Sequence, residues 1–167
     1  MSDKTDKTAP LKLMAENTDD LSVLSALLQD GLVAGKDMQW IQDPHNKDYQ
    51  QFVILVNRYC WEIEAEEDNP SVKKAKVGYR RLCGVKIGHV KQVKQRGLSK
   101  SSDQFYNLLA IEYESRKKYV LLTFSDKGAI RLQTDRLRII MVDVAEPHPS
   151  FARPEHGGDD LDLSDKG

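Results

Sequence analysis

The sequence predicts an α+β protein: a mainly antiparallel β-sheet of about eight strands, curled or barrel-like, with one N-terminal helix packed against it. Three observations favour this class. Short apolar segments with the two-residue alternation of strands recur along the chain. Only one segment, near the N-terminus, has the apolar spacing of a strong helix. Strands and helices do not alternate repeatedly along the sequence, so the pattern does not indicate a doubly wound sheet. A pleckstrin-homology-like or split-barrel layout fits, and the pattern leaves the strand order open.

The chain of 167 residues is long enough for one domain whose core needs neither disulfides nor metal. Residues 1–9 are polar and are predicted to be a disordered tail, and residues 148–167 a second, acidic one. Residues 10–147 then form a single α+β domain. The N-terminus has no signal-peptide pattern and no apolar run is long enough to span a membrane, so we expect a cytoplasmic protein.

The first elements are a short strand at residues 11–15 and a helix. Thr18 is predicted to be the N-cap of the helix, followed by acidic residues that favour its positive end. Its apolar stripe contains Leu21, Leu24 and Leu28. Gly31 is predicted to end the helix in a left-handed conformation. A short strand, DMQWI, follows after Gly35.

A long central β-hairpin is predicted over residues 51–96. The stretch from Phe52 to Val56 is apolar on both faces, which indicates that both faces of this strand are covered. A polar link at 65–78 leads to a returning strand, in which Gly84 and Gly88 allow a bulge or a bend. The remaining strands are predicted in YNLLAIEYE, YVLLTF and AIRLQ. Residues 135–144 fit either a strand or a helix, and their β-branched residues favour the strand.

Several phrases, taken in order, resemble those of a protein family. They are LKLMAENTDDLSVLSALLQD, QQFVILVNRYCWE, KQRGLSKSSD, LLAIEYE and LTFSDKGAIRLQTDRLRIIMVDV, and the resemblance covers roughly residues 11–147. The family resembled is a small alphaproteobacterial one defined as domain of unknown function 2948. The resemblance implies a bacterial cytoplasmic protein, and it implies no activity, cofactor or active-site residue.

No pattern of metal ligands, phosphate loop or activated nucleophile is present, so no cofactor and no catalytic residue is predicted. Cys60 and Cys83 are interpreted as reduced core thiols. If they lie on adjacent strands, a disulfide between them is the alternative. Cys83 and His89 would lie about 20 Å apart along a straight strand, too far for proton transfer. Asp143 is interpreted as an outward-facing strand residue or a turn cap.

The uneven charge distribution is the one feature that points to a partner. No acidic residue occurs from Ser71 to Ser102, although the net charge of the chain is −1. The candidate polyanion-binding residues of this stretch are Arg80, Arg81, Lys86, Lys91, Lys94, Arg96 and Lys100. Alternatively, Glu62 and Glu64 pair with Arg80 and Arg81 across the hairpin and leave a solvated face. The acidic tail could also fold back on the basic stretch.

We therefore expect a non-enzymatic protein-interaction module. One alternative is a nucleic-acid-associated protein that uses the basic strand at 79–100. Another is a small enzyme whose site is assembled from distant residues. The partner and the oligomeric state are not encoded in any recognisable pattern.

Overall fold

The computed structural model describes residues 9–43, 45–46, 50–63, 78–99 and 103–150. The helical elements are α1 (Thr18–Leu28) and a 3-10 turn (Gly35–Asp37). The strands are β1 (Lys12–Ala15), β2 (Gly31–Ala34), β3 (Met38–Gln42), β4 (Gln50–Tyr59), β5 (Gly78–Ile87), β6 (Val90–Arg96), β7 (Phe105–Glu114), β8 (Tyr119–Phe124), β9 (Ala129–Thr134), β10 (Ile139–Asp143) and β11 (His148–Ser150).

The strands form one sheet in the order β1-β10-β5-β4-β2-β7-β8-β9-β6, with β3 added to β4 and β11 added to β5. Every described pairing is antiparallel, and the sheet is not closed into a barrel because β1 and β6 are unpaired ends. The predicted antiparallel sheet is therefore confirmed. In the described residues it has eleven strands rather than about eight.

The predicted central hairpin is confirmed as β4 and β5, which pair continuously from Phe52↔Ile87 to Tyr59↔Arg80. The returning strand does not run straight to Arg96. It breaks at Gly88 and at His89, whose φ is 57°, and the chain continues as β6 at the far end of the sheet. The bend predicted from the glycines thus lies at Gly88, whereas Gly84 sits within the regular ladder of β5.

The helix begins one residue earlier than predicted. Asn17, rather than Thr18, is the N-cap, and its side-chain oxygen accepts a hydrogen bond of 2.8 Å from the backbone N–H of Asp20. Leu21, Leu24 and Leu28 are buried in the same core as the sheet. The hydroxyl of Ser25 accepts the N–H of Ile111 at 2.9 Å, which satisfies a backbone donor of β7.

Two further predictions at element ends are corrected. The left-handed residue after α1 is Asp30, with φ 66°, and Gly31 already belongs to β2. Gly31 is needed for a different reason, since a Cβ there would collide with a side-chain methyl of Val56. At the other end of the chain, His148–Ser150 pair with β5 although a disordered tail was predicted from residue 148. The predicted tails at 1–8 and 151–167 lie outside the described residues.

The ambiguous segment at 135–144 contains a strand, β10, which pairs with β5 on one side and β1 on the other. Its alternation places Ile139, Met141 and Asp143 on the core side. Because β5 and β4 present their own buried positions on that side, the three strands share one continuous inner face. This face carries apolar side chains along most of its length and ends in charged ones.

Candidate functional site

A buried ionic cluster lies at the end of the inner face. The guanidinium of Arg58 donates two hydrogen bonds of 2.9 Å to the carboxylate of Asp143, and two more of 3.0 and 2.8 Å to Glu62. The side chains of Arg58 and Asp143 are both 0% exposed. Asp143 Oδ2 also accepts the N–H of Leu11 at 2.8 Å and lies 3.6 Å from Nε of Arg81.

The predicted outward or turn-capping role of Asp143 is wrong, because this carboxylate is the buried acceptor of the cluster. Burial alone would raise the pKa of Asp143. The hydrogen bonds from Arg58 and Leu11 and the charges of Arg58 and Arg81 outweigh burial, so the pKa lies below its ordinary value. At Arg58, the hydrogen bonds to Asp143 and Glu62 and the charges of these two carboxylates outweigh desolvation and raise the pKa. Both groups therefore remain charged near neutral pH.

Arg80 and Arg81 do not belong to an accessible basic surface. Arg81 donates to the carbonyl oxygen of Ala145 at 2.9 Å and is 1% exposed. Arg80 donates to the carbonyl oxygens of Asn57 and Asp30 and is 6% exposed. Their polyanion-binding assignment is corrected, because buried guanidinium groups engaged with backbone carbonyls do not reach an external phosphate.

The expected cross-strand pair of Glu62 also differs from the structure. Arg58 lies opposite Arg81, and Tyr59 opposite Arg80. Glu62 binds Arg58, four residues earlier, from a helical turn at 61–63. Glu64 lies outside the described residues. The turn after β4 therefore brings Glu62 back toward its own strand.

The two cysteines are free and buried, as expected of core thiols. Burial raises the pKa of Cys60 to about 11 and that of Cys83 to about 12. The charge of Arg58 opposes this effect without reversing it. These thiols lack the lowered pKa of an activated nucleophile.

The remaining predicted basic residues separate into different environments. Lys86 is exposed beside the β5–β6 bend. Lys91 forms an ion pair of 3.3 Å with Asp135. Lys94 and Arg96 are exposed on β6 and line one groove, whereas Lys100 lies outside the described residues. Of the predicted basic residues that the structure describes, Lys94 and Arg96 thus lie together in one groove.

The groove at Lys94 and Arg96, here called the basic groove, crosses β6, β9 and β8 and has a volume of about 400 Å³. Its lining residues are Lys94, Gln95, Arg96, Tyr119, Leu121, Ala129 and Arg131. Arg131 lies directly opposite Lys94, and its guanidinium carbon is 5.0 Å from the ring centroid of Tyr119. None of the lining residues is acidic, so the groove is suited to an anionic ligand.

A second surface, here called the outer apolar face, covers the solvent side of β1, β10, β5 and β4, with β3 at its margin. Its side chains are Met14, Ile41, Val53, Leu55, Leu82, Ile140 and Val142. Met14 is 49% and Ile41 is 38% exposed, and the others are half-buried. Side chains on the solvated face of an antiparallel sheet are normally polar, so the apolar side chains of this face are unusual.

Sequence reasoning missed Arg58, Tyr119 and Arg131 as members of these sites. The four-residue spacing of Arg58 and Glu62 was the only local signal for the ionic cluster. Arg131 sits in an ordinary alternating strand, and its position opposite Lys94 depends on the pairing of β6 with β9. Pairing between strands that are distant in the sequence cannot be recognised from the residues around Arg131.

Within the described residues, no helix is long and apolar enough to cross a membrane. The same part of the chain contains no group of three or more His, Cys, Asp or Glu side chains arranged to hold a metal ion.

The comparisons with known proteins identify a family. Searches of curated proteins and of solved structures gave no significant match. A family model described as a protein of unknown function, DUF2948, matches residues 11–156. This match spans β1 to β11, and so includes the ionic cluster, the basic groove and the outer apolar face. The chain therefore belongs to the DUF2948 family.

Proposed function

We propose that this protein is a non-enzymatic interaction module of the bacterial cytoplasm that holds an acidic partner protein on its outer apolar face. The proposal rests on one observation. The central strands do not alternate between apolar inward side chains and polar outward side chains. Val53 and Leu55 of β4, Leu82 of β5 and Val142 of β10 point away from the core, yet all are apolar.

The exposure of this face supports a docking role. The sequence led us to expect that both faces of the strand at Phe52–Val56 are covered. Phe52, Ile54 and Val56 are indeed buried, whereas Val53 and Leu55 are only half-buried. A sheet face rich in solvent-accessible apolar side chains marks an interaction site in many proteins. A partner would supply the cover that the described residues do not.

Two lysines, one on the end strand β1 and one on the central strand β5, favour an acidic partner. Lys12 lies opposite Val142 on β1, and Lys86 of β5 lies between Val53 and Ile140. Both lysines are exposed, and no acidic residue occupies an outward position of β1, β10, β5 or β4 in the described residues. Carboxylates bordering an apolar patch on the partner would complement this arrangement.

Gly84 provides a sharp test, because it occupies the centre of the outer apolar face and nothing lies within 4 Å of where its Cβ would be. A photo-crosslinking amino acid placed at Val53 should capture a protein that the same probe at Val23, exposed on α1, does not capture. The captured protein, once purified, should bind wild type and Gly84→Ala alike. Gly84→Glu should weaken binding about tenfold or more, since an unpaired carboxylate would be buried at the interface.

Three results would overturn the proposal. The first is identical adducts from Val53 and Val23. The second is unchanged affinity of the purified partner for Gly84→Glu. The third is an adduct between two copies of this chain, which would make the face a self-association surface.

A second candidate function is nucleic-acid association through the basic groove, favoured by the convergence of Lys94, Arg96 and Arg131. Labelled oligonucleotides should then bind with an affinity that falls steeply from about 50 to about 200 mM salt. Replacing all three residues with Gln should abolish binding, whereas Lys12→Gln on β1 should not. Salt-insensitive binding, or equal losses in both variants, would exclude the groove.

A further inference from the structure

The bend between β5 and β6 forms a cleft of about 240 Å³, here called the bend cleft. Its lining residues are Gln51, Lys86, Gly88, His89, Arg136, Arg138 and Ile140. They come from β4, β5, the bend itself, β10 and the segment that leads into β10. Two guanidinium groups, one ammonium group and one imidazole therefore converge, and no lining residue is acidic.

Backbone hydrogen bonds hold the walls of the bend cleft in place. The N–H of Gly88 donates a hydrogen bond of 2.9 Å to the carbonyl oxygen of Arg138. The N–H of Asp135 donates one of 3.3 Å to the carbonyl oxygen of His89. His89 has a left-handed φ of 57°, which is uncommon for a residue with a side chain. The geometry of the cleft is thus set by the fold.

The cationic groups of the cleft have few counter-charges. Arg138 uses one Nη for an ion pair of 2.6 Å with Glu16. Among the ion pairs of the described residues, none includes Lys86 or Arg136. Arg136 Nε instead donates to Nε2 of His89 at 3.1 Å, so the imidazole accepts and is neutral in this arrangement.

Burial and the charges around the cleft change the pKa of His89. Burial lowers the pKa of His89, and the charges of Arg136, Arg138 and Lys91 lower it further against the opposing effect of Asp135. Glu16 neutralises only Arg138, so the other positive charges of the cleft repel one another, and a bound anion would relieve that repulsion.

From this convergence we propose that the bend cleft binds a phosphate-class oxyanion, either free or as the phosphate group of a small metabolite. Guanidinium and ammonium donors match the acceptor oxygens of phosphate. The cleft is smaller than the 300–1,000 Å³ or so typical of pockets for drug-sized ligands, which suits a small anion. The cleft shares Lys86 and Ile140 with the outer apolar face, whereas His89, Arg136 and Arg138 belong to the cleft alone.

The test is an NMR titration of the full-length ¹⁵N-labelled protein at constant ionic strength, with inorganic phosphate, glycerol phosphate or sodium chloride. Phosphate should shift the amide signals of Gly88, His89 and Arg136 in a saturable manner, and chloride should not. Tighter binding of glycerol phosphate would identify a phosphorylated metabolite as the source, and equal or weaker binding would identify the free anion.

Variants locate the site. Arg136→Gln should weaken phosphate binding about tenfold or more, because one charge-assisted hydrogen bond is lost. Lys86→Gln tests the opposite wall independently. Lys127→Gln is the matched control, since it lies in the turn before β9, about 20 Å along the strand from Arg136. Shifts equal to those caused by chloride, or the same loss in Lys127→Gln, would overturn the proposal.

Discussion

Asp143 and Arg58 form a two-point hydrogen-bonded ion pair, with both bonds 2.9 Å long, between residues that are 85 positions apart in the sequence. The pair links the inner face of β10 to that of β4, although β5 lies between these strands. It therefore ties three strands together at the charged end of an otherwise apolar face.

Replacing Asp143 with Asn should lower the free energy of unfolding by up to about 3–5 kcal/mol, because Arg58 and Arg81 would lose their fully buried counter-ion and only Glu62 would still pair with Arg58. Urea denaturation measures this loss. Glu16→Gln is the control, since it breaks a pair with Arg138 whose side chains are 53% and 40% exposed. That change should cost less than about 1 kcal/mol. A comparable loss in both variants would contradict a special role for the buried pair.

The stability of the protein should fall at acid pH through Asp143. Its pKa is lower in the folded than in the unfolded state, so its contribution is present above the unfolded value of about 3.9 and is lost as pH falls through the folded value. The difference in unfolding free energy between wild type and Asp143→Asn should therefore shrink below about pH 4. Parallel pH profiles for the two proteins would show that Asp143 does not titrate as described.

Cys60 and Cys83 should be unreactive toward Ellman's reagent in the folded protein at pH 8. With pKa values of about 11 and about 12, only about one thiol in a thousand or fewer is ionised, and both side chains are buried. In denaturant, both thiols should react rapidly. Fast reaction of one thiol in the native state would place that cysteine at an accessible site.

Two strand glycines should respond in opposite ways to replacement by Ala. In β2, a Cβ at Gly31 would collide with Val56 and approach the carbonyl oxygen of Leu28 to 3.0 Å, so Gly31→Ala should cost about 1–3 kcal/mol. In β5, Gly84 has open space, so Gly84→Ala should be neutral or stabilising by up to about 1 kcal/mol. Thermal unfolding measures both, and equal changes would contradict the described packing.

Local pattern predicted much of the secondary structure. The alternation around Phe52–Val56 and the stripe of Leu21, Leu24 and Leu28 predicted β4 and α1, because burial on one face leaves a periodic mark. The extra strands were missed where such a mark is weak. β2 and β11 are only four and three residues long, and β6 is mostly polar.

The sequence by itself determined the antiparallel class, the central hairpin and the positions of the apolar faces, since each depends on residues near one another in the chain. Only the tertiary structure decided which charged side chains are buried and which partners they have. It buried Arg80 and Arg81, which looked accessible, and joined Arg58 to Asp143. It also brought Arg131 beside Lys94. Strand order sets which distant residues meet, and the energy of a charge depends on its partners and burial more than on its neighbours in sequence.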